Sequence, residues 1–194
     1  KRIEVLRDGA GAQYGSDAIA GVNNIILDDA PEGGEVSTTY GVYHTRENAI
    51  GKRITDGQSS QTSAKIGTRL GEDGGFIRVG TEYKDRNPTN RAGYDGFADT
   101  PGQRNFAMGD GLARDVNVWF NSELPVGDSK AYSFGTYNER HTTGSDFYRE
   151  ASEHPEFYPN GYLPQSLGDN KDLSLTAGFK GMLDDDWDYD SSLT

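Results

Sequence analysis

Beyond residue 35 apolar and polar side chains alternate with a period of two, the pattern of a strand with one face hidden from water. In 36–45, Val36, Thr38, Tyr40 and Val42 share one side, and Ser37, Thr39 and Gly41 the other. In 61–71, Ala64, Ile66, Thr68 and Leu70 oppose Lys65, Gly67 and Arg69, and in 76–84 Ile77, Val79, Thr81 and Tyr83 oppose Arg78, Gly80, Glu82 and Lys84. Segment 115–124 sets Val116, Val118, Phe120 and Leu124 against Asn117, Trp119, Asn121 and Glu123. Segment 131–140 sets Tyr132 and Phe134 against Ser133, Gly135, Tyr137 and Glu139. Leu173, Leu175, Ala177 and Phe179 oppose Ser174, Thr176, Gly178 and Lys180, and Trp187, Tyr189 and Leu193 begin a further strand. The reading is seven antiparallel strands.

Their connections alternate in length. Short turns at 72–75, 125–130 and 184–186 contrast with long polar loops at 47–60, 87–114 and 142–171. That asymmetry belongs to outer-membrane barrels, since compact domains rarely carry loops longer than about 12 to 15 residues. Ten residues at about 3.3 Å each, tilted about 45°, rise about 23 Å, close to the ~25 Å apolar band of such barrels. Lys65, Arg69, Arg78 and Lys84 would each cost up to about 2 to 4 kcal/mol in lipid, so the apolar sides are expected to face outward and the charged sides a wet lumen. In this register Asp85 and Arg140 also face outward, at the long-loop end where the penalty falls to about 0 to 1 kcal/mol. The expected fold class is all-β: a fragment of a large antiparallel transmembrane β-barrel. Unpaired edges in hydrocarbon are prohibitively costly, so seven strands need companions.

The first residues have a different texture. Ile3 to Leu6 and Val22 to Leu27 are short strand-like runs bracketing a stretch rich in Gly and Ala, followed by the polar joint Asp28-Asp29-Ala30-Pro31-Glu32-Gly33-Gly34. The run Arg2-Ile3-Glu4-Val5-Leu6-Arg7-Asp8-Gly9, then Tyr14-Gly15, then Gly21-Val22-Asn23-Asn24-Ile25-Ile26, resembles the end of the plug domain of TonB-dependent outer-membrane receptors. Asp8-Gly9 stands where many members carry Gly-Pro, and Asn23 where an apolar residue is usual. A buried, unpartnered Asn23 would cost about 1 to 3 kcal/mol, so hydrogen bonds to neighbouring plug backbone or a local distortion of the strand is expected there. The resemblance implies a plug end at 1–27, a plug–barrel joint at 28–35 and the first strands of a 22-stranded barrel at 36–194. The chain opens within a motif and stops within a strand pattern, which reads as an excerpt of a longer protein.

By the same resemblance Arg7 sits between plug and barrel wall, paired with wall carboxylates. The polar sides of the strands offer Glu82, Glu123 and Glu139, while an ion pair within the plug to Glu4 or Asp8 is the alternative. Aromatic residues gather in the long loops: Tyr94, Phe97 and Phe106 in the second, and Phe147, Tyr148, Phe157, Tyr158 and Tyr162 in the third, stiffened by Pro155, Pro159 and Pro164. Such rings either contact a ligand at small entropic cost or pack the loops against one another.

Composition narrows the function classes. Hydrophobic residues make up 33% of the 194 residues, and glycine numbers 26. With a mean hydropathy of -0.78, these values disfavour a soluble helical core. The absence of cysteine removes disulfides and thiolate metal sites. A net charge of -12 without a Lys/Arg cluster argues against nucleic acid. Gly15-Ser16-Asp17 lacks the nucleophile elbow, Gly9-Ala10-Gly11 lacks the third glycine of a dinucleotide loop, and His44, His141 and His154 are too scattered for a metal site. Asp186-x-Asp188-x-Asp190 begins like a calcium loop, but Ser191 replaces the turn glycine and no closing Glu follows. No catalytic residue, metal or cofactor is expected.

The resemblance implies active uptake of a scarce nutrient, an iron-siderophore or similar large ligand, across the outer membrane of a Gram-negative bacterium. The implied partners are the TonB energy-transducing complex, acting through an upstream N-terminal box, together with outer-membrane lipid and the extracellular nutrient, for a receptor working as a monomer. A surface-exposed structural or adhesion protein and a diffusion porin are the rival readings.

Overall fold

The computed structural model describes residues 2–7, 21–96, 100–184 and 187–194. Among these residues nine strands follow one another: β1 (Arg2–Leu6), β2 (Val22–Ile26), β3 (Gly33–Glu47), β4 (Lys52–Leu70), β5 (Gly75–Arg86), β6 (Leu112–Val126), β7 (Ser129–Ser145), β8 (Gln165–Met182) and β9 (Asp188–Leu193). β1 and β2 form a two-stranded antiparallel ribbon; β3 to β9 form one antiparallel sheet in chain order. The protein is therefore all-β among its described residues.

Turn chemistry sets the hairpins at one end. Val126 pairs with Ser129 around Gly127-Asp128, and Gly127 at φ 60 takes the first central position of a primed turn whose twist matches the strands. At the other end lie the connections 87–111 and 146–164. The first expected long loop is not one: β3 and β4 stay paired out to Glu47↔Lys52, closed by a turn at 48–51, so most of 47–60 is strand. A register shift between Gly41 and Tyr43 absorbs an extra residue and lets the ladder continue past Asp56-Gly57.

Cross-strand partners share a face, which fixes the sheet's two sides. Ile66, Val79, Phe120, Gly135 and Leu175 lie in one row on the apolar face, and Gly67, Arg78, Asn121, Phe134 and Thr176 in a neighbouring row on the polar face. β7 departs from expectation. Glu123 pairs with Tyr132 and Asn121 with Phe134, so both rings sit on the polar face, together with Arg140 opposite Asp115. Tyr137 and Glu139, opposite Val118 and Val116, sit on the apolar face. Both sides of β7 carry rings, so its own alternation does not choose; the unambiguous patterns of β6 and β8 do.

Among the described residues, neither face of this sheet has a packed core behind it. The buried hydrophobic side chains among the described residues are Phe76, Ala92, Ala113 and Tyr148, while Val36, Ile66, Leu173, Leu175 and Leu193 are each more than half exposed. The chain exposes 13593 Å², against about 9,100 Å² for a compact globular protein of its mass. On β6 the apolar face is free of charge from Val116 to Val126, about 34 Å along the strand or about 24 Å at a 45° tilt. Charges reappear on that face towards the long-loop end, as the pairs Asp85–Arg114 (2.9 Å) and Glu139–Lys171 (3.1 Å) and as Asp169, hydrogen-bonded to His141 at 2.5 Å.

The polar face is smoothed by glycine. Gly80 lies opposite Trp119, whose indole occupies the space a β-carbon at residue 80 would need. Against this face, not the apolar one, lies the joint that leads from β2 into β3.

Candidate functional site

Two places gather functional side chains: the seat of the joint on the polar face, and the connections at the long-loop end. The seat is built on β4, β5 and β6. Lys65, Arg78 and Asn121 all project from the polar side towards Asp28. The Asp28 carboxylate pairs with Arg78 at 2.8 Å and with Lys65 at 3.0 Å, and its backbone carbonyl accepts from Asn121 Nδ2 at 3.1 Å. Arg78 Nη1 also donates to the carbonyls of Ala30, Glu32 and Gly33. Its guanidinium lies over Gly67, where a β-carbon would stand 2.7 Å from Nη1 and 2.8 Å from the Ala30 carbonyl. The side chains of Arg78 and Asp28 are only 6% and 11% exposed. Burial alone would raise the Asp28 pKa, but the Lys65 ammonium, the Arg78 guanidinium and the Ala30 N–H outweigh it and hold the carboxyl below its ordinary range. Arg69–Glu32, at 2.7 Å, adds a solvent-exposed pair at the margin.

The residues expected to tie plug to wall are distributed otherwise. Arg7 is exposed and forms no ion pair among the described residues. Glu4 is held by Arg2 (2.7 Å) and Asn24 (3.2 Å) within the β1–β2 ribbon, and these bonds lower its pKa. Glu82 accepts from Gln61 and Asn117; Glu123 pairs with Lys130 at 2.7 Å and Lys180 at 2.6 Å. Both lie on the polar face, as expected. Glu139 does not: it stands on the opposite face beside Lys171, because the β6–β7 register reverses the expected orientation of β7. Asn23 is exposed, so the expected desolvation penalty does not arise.

At the far end, the described parts of the second connection, 87–96 and 100–111, are tied together by hydrogen bonds. The backbone N–H groups of Thr89 and Arg91 donate to the carbonyls of Asp110 and Met108, extending a ladder into the loop. The Arg91 fork grips Asp56 on β4 through two bonds, 2.5 and 2.9 Å, which raises its pKa, and its guanidinium lies 5.8 Å from the Tyr43 ring centroid. Phe106 bridges to the third loop, meeting Phe147 and Tyr148 edge to face at 6.4 Å in each case. Tyr148 is buried and donates its hydroxyl to the Asn160 carbonyl at 2.7 Å; Tyr158 and Tyr162 pack with centroids 4.1 Å apart. Phe147 and Phe157 are 66% and 75% exposed, with Tyr94 and Tyr158 nearly half exposed. The eight candidate rings thus divide into a packed set (Phe106, Tyr148, Tyr162) and an outward-facing set (Tyr94, Phe147, Phe157, Tyr158); Phe97 lies outside the described residues.

No group of three or more potential metal ligands occurs among the described residues, and Asp186 of the calcium-like run lies outside them. The Asp28 seat was not anticipated, although the signal was present: two consecutive aspartates open the joint, and Lys65 and Arg78 occupy polar positions on adjacent strands. Comparison with protein-family models, with curated proteins and with solved structures finds no match.

Proposed function

We propose that this chain is part of a TonB-dependent receptor that takes up a scarce nutrient, an iron chelate or a similarly large ligand, across a bacterial outer membrane. The observation that carries the reading is the two-sidedness of the sheet. One face is apolar and uncovered over about the height of a bilayer's hydrocarbon, while the other is polar and receives the joint that follows the plug-like segment. In this reading the apolar face meets lipid, the polar face lines the lumen, and β1–β2 belong to the plug. The exposed rings Tyr94, Phe147, Phe157 and Tyr158 offer the incoming ligand rigid contact area at the extracellular rim.

Further strands complete the wall, since an open edge cannot persist in hydrocarbon. Energy enters from TonB at an upstream box, and displacement of the plug opens the path; the wall's continuous ladder stays intact meanwhile. The test uses the full-length protein in its Gram-negative host. Deletion should abolish energy-dependent uptake of at least one labelled ferric chelate, and the protein should fractionate with the outer membrane. A protein recovered in the soluble fraction, or uptake unaffected by dissipating the proton gradient, would overturn the proposal.

A further inference from the structure

The lumenal segment is fastened to the sheet very unevenly. Upstream of Asp28, the described residues 2–7 and 21–27 make no hydrogen bond or ion pair to the sheet; their polar bonds, Arg2–Glu4 and Asn24–Glu4, stay within the ribbon. Ile25, Ile26 and Leu27 face the sheet across a cavity of about 330 Å³ shared with Trp119, Phe134 and Thr136, and Ile26 and Leu27 also border one of about 540 Å³ beside Phe76 and Tyr132. From Asp28 onward the fastening is dense. Over 28–33 the chain makes ion pairs to Lys65, Arg78 and Arg69, accepts from Arg78 at three carbonyls, and accepts from Asn121 at a fourth. The change falls within a single peptide unit.

We infer that the Leu27–Asp28 linkage is the boundary between a part of the plug that moves and a part that does not, with Asp28 and Arg78 as the fixed anchor. The inference rests on the uptake reading above and adds to it where motion stops. Its physical basis is the difference in what must be broken. Lifting β2 away from Trp119 and Phe134 widens existing cavities and uncovers the half-buried Ile26, with no charge to separate; Ile25 is already 61% exposed. Lifting Asp28 separates a nearly buried carboxylate from two cations and strips a buried guanidinium of its acceptors. A pull transmitted along the chain therefore spends itself upstream and stops at Asp28. Gly67 allows the anchor to form, because only a residue without a β-carbon lets Arg78 and the joint backbone lie against β4 together.

The experiment is a pair of cleavable cross-links in the full-length receptor. Glu32→Cys with Arg69→Cys replaces an exposed pair beside the anchor and leaves Asp28 and Arg78 intact; Ile26→Cys with Phe134→Cys joins the two sides of the cavity. Each pair is bridged with a short bifunctional thiol reagent containing a disulfide, and uptake is measured before bridging, after it, and after reduction. The joint link should leave uptake within about twofold of the unbridged protein, and the cavity link should lower it by at least tenfold, reversed on reduction. Loss of uptake with the joint link, or retention with both links, would overturn the inference. Absence of uptake in the wild-type protein would sink the reading beneath it, and that result is visible before any link is made.

Discussion

Replacing Asp28 by Ala should free the joint from the wall without unfolding the sheet. The substitution leaves the 6%-exposed Arg78 side chain without its counter-charge, and breaking a buried pair in this way costs about 3 to 5 kcal/mol. Arg78 keeps the carbonyls of Ala30, Glu32 and Gly33, at 3.1, 3.4 and 3.3 Å, so the loss belongs at or below the low end, about 2 to 3 kcal/mol. If it appears as local opening of the joint, amide exchange in a peptide covering 28–34 accelerates by about 30- to 150-fold, at a factor of ten per ~1.4 kcal/mol. Peptides from β6 and β7 serve as an internal reference and should be unchanged. Arg69→Ala removes the 61%-exposed partner of Glu32 and is the control, expected to change exchange by no more than about fivefold. Equal effects of the two substitutions, or no change in 28–34 with Asp28→Ala, would refute the assignment of Asp28 as the anchor.

The same joint should respond to pH in a defined direction. The Asp28 pKa is held below its ordinary 3.8, so its contribution is fully present above that value and disappears as pH falls through the lower folded value; protection of 28–34, corrected for intrinsic exchange, should be level from pH 8 to 5 and fall only below about 4. Asp56→Ala removes both bonds of the Arg91 fork and should speed proteolytic cleavage within 87–111 on the order of tenfold, while β4 and β5 stay resistant. Phe106→Ala should loosen the second and third loops together, because the ring contacts both Phe147 and Tyr148; cleavage confined to the second loop would contradict that coupling.

Period-two alternation carried most of the fold. Six of the seven sheet strands present the expected faces because one side of each is distinctly more apolar, and the short turn expected at 125–130 is narrowed to Gly127-Asp128. β7 failed where that contrast was absent. Tyr132 and Phe134 looked like a lipid-facing pair, yet Tyr132 donates to Asp190 and lies 5.4 Å from the Lys180 ammonium, so its amphipathic ring is at home on the polar face. Pairing with β6 and β8, which sets Phe134 between Asn121 and Thr176, was the deciding information. The stretch 47–60 reads as a loop because it is polar and carries no clear alternation, yet β3 and β4 pair through it; the register shift at Gly41/Tyr43 and the positive φ of Gly57 accommodate it within a strand pair. The loop aromatics were found by composition, but which rings pack and which face outward depends on Phe106 reaching across two loops. The Asp28 seat was hidden for a related reason: its partners lie 37 to 93 residues away, and no local pattern announces a meeting of that range.

The central claim is that the sheet's apolar face meets lipid and its polar face meets water. Single cysteines at Tyr137 and Leu175 on one face, and at Phe134 and Thr176 on the other, carry an environment-sensitive fluorophore in the full-length protein reconstituted into bilayers. Brominated acyl chains should quench the label at Tyr137 and Leu175 and spare Phe134 and Thr176, with a water-soluble quencher giving the reverse pattern. Quenching by lipid at Phe134 and Thr176, or no alternation along β7 and β8, would contradict the account.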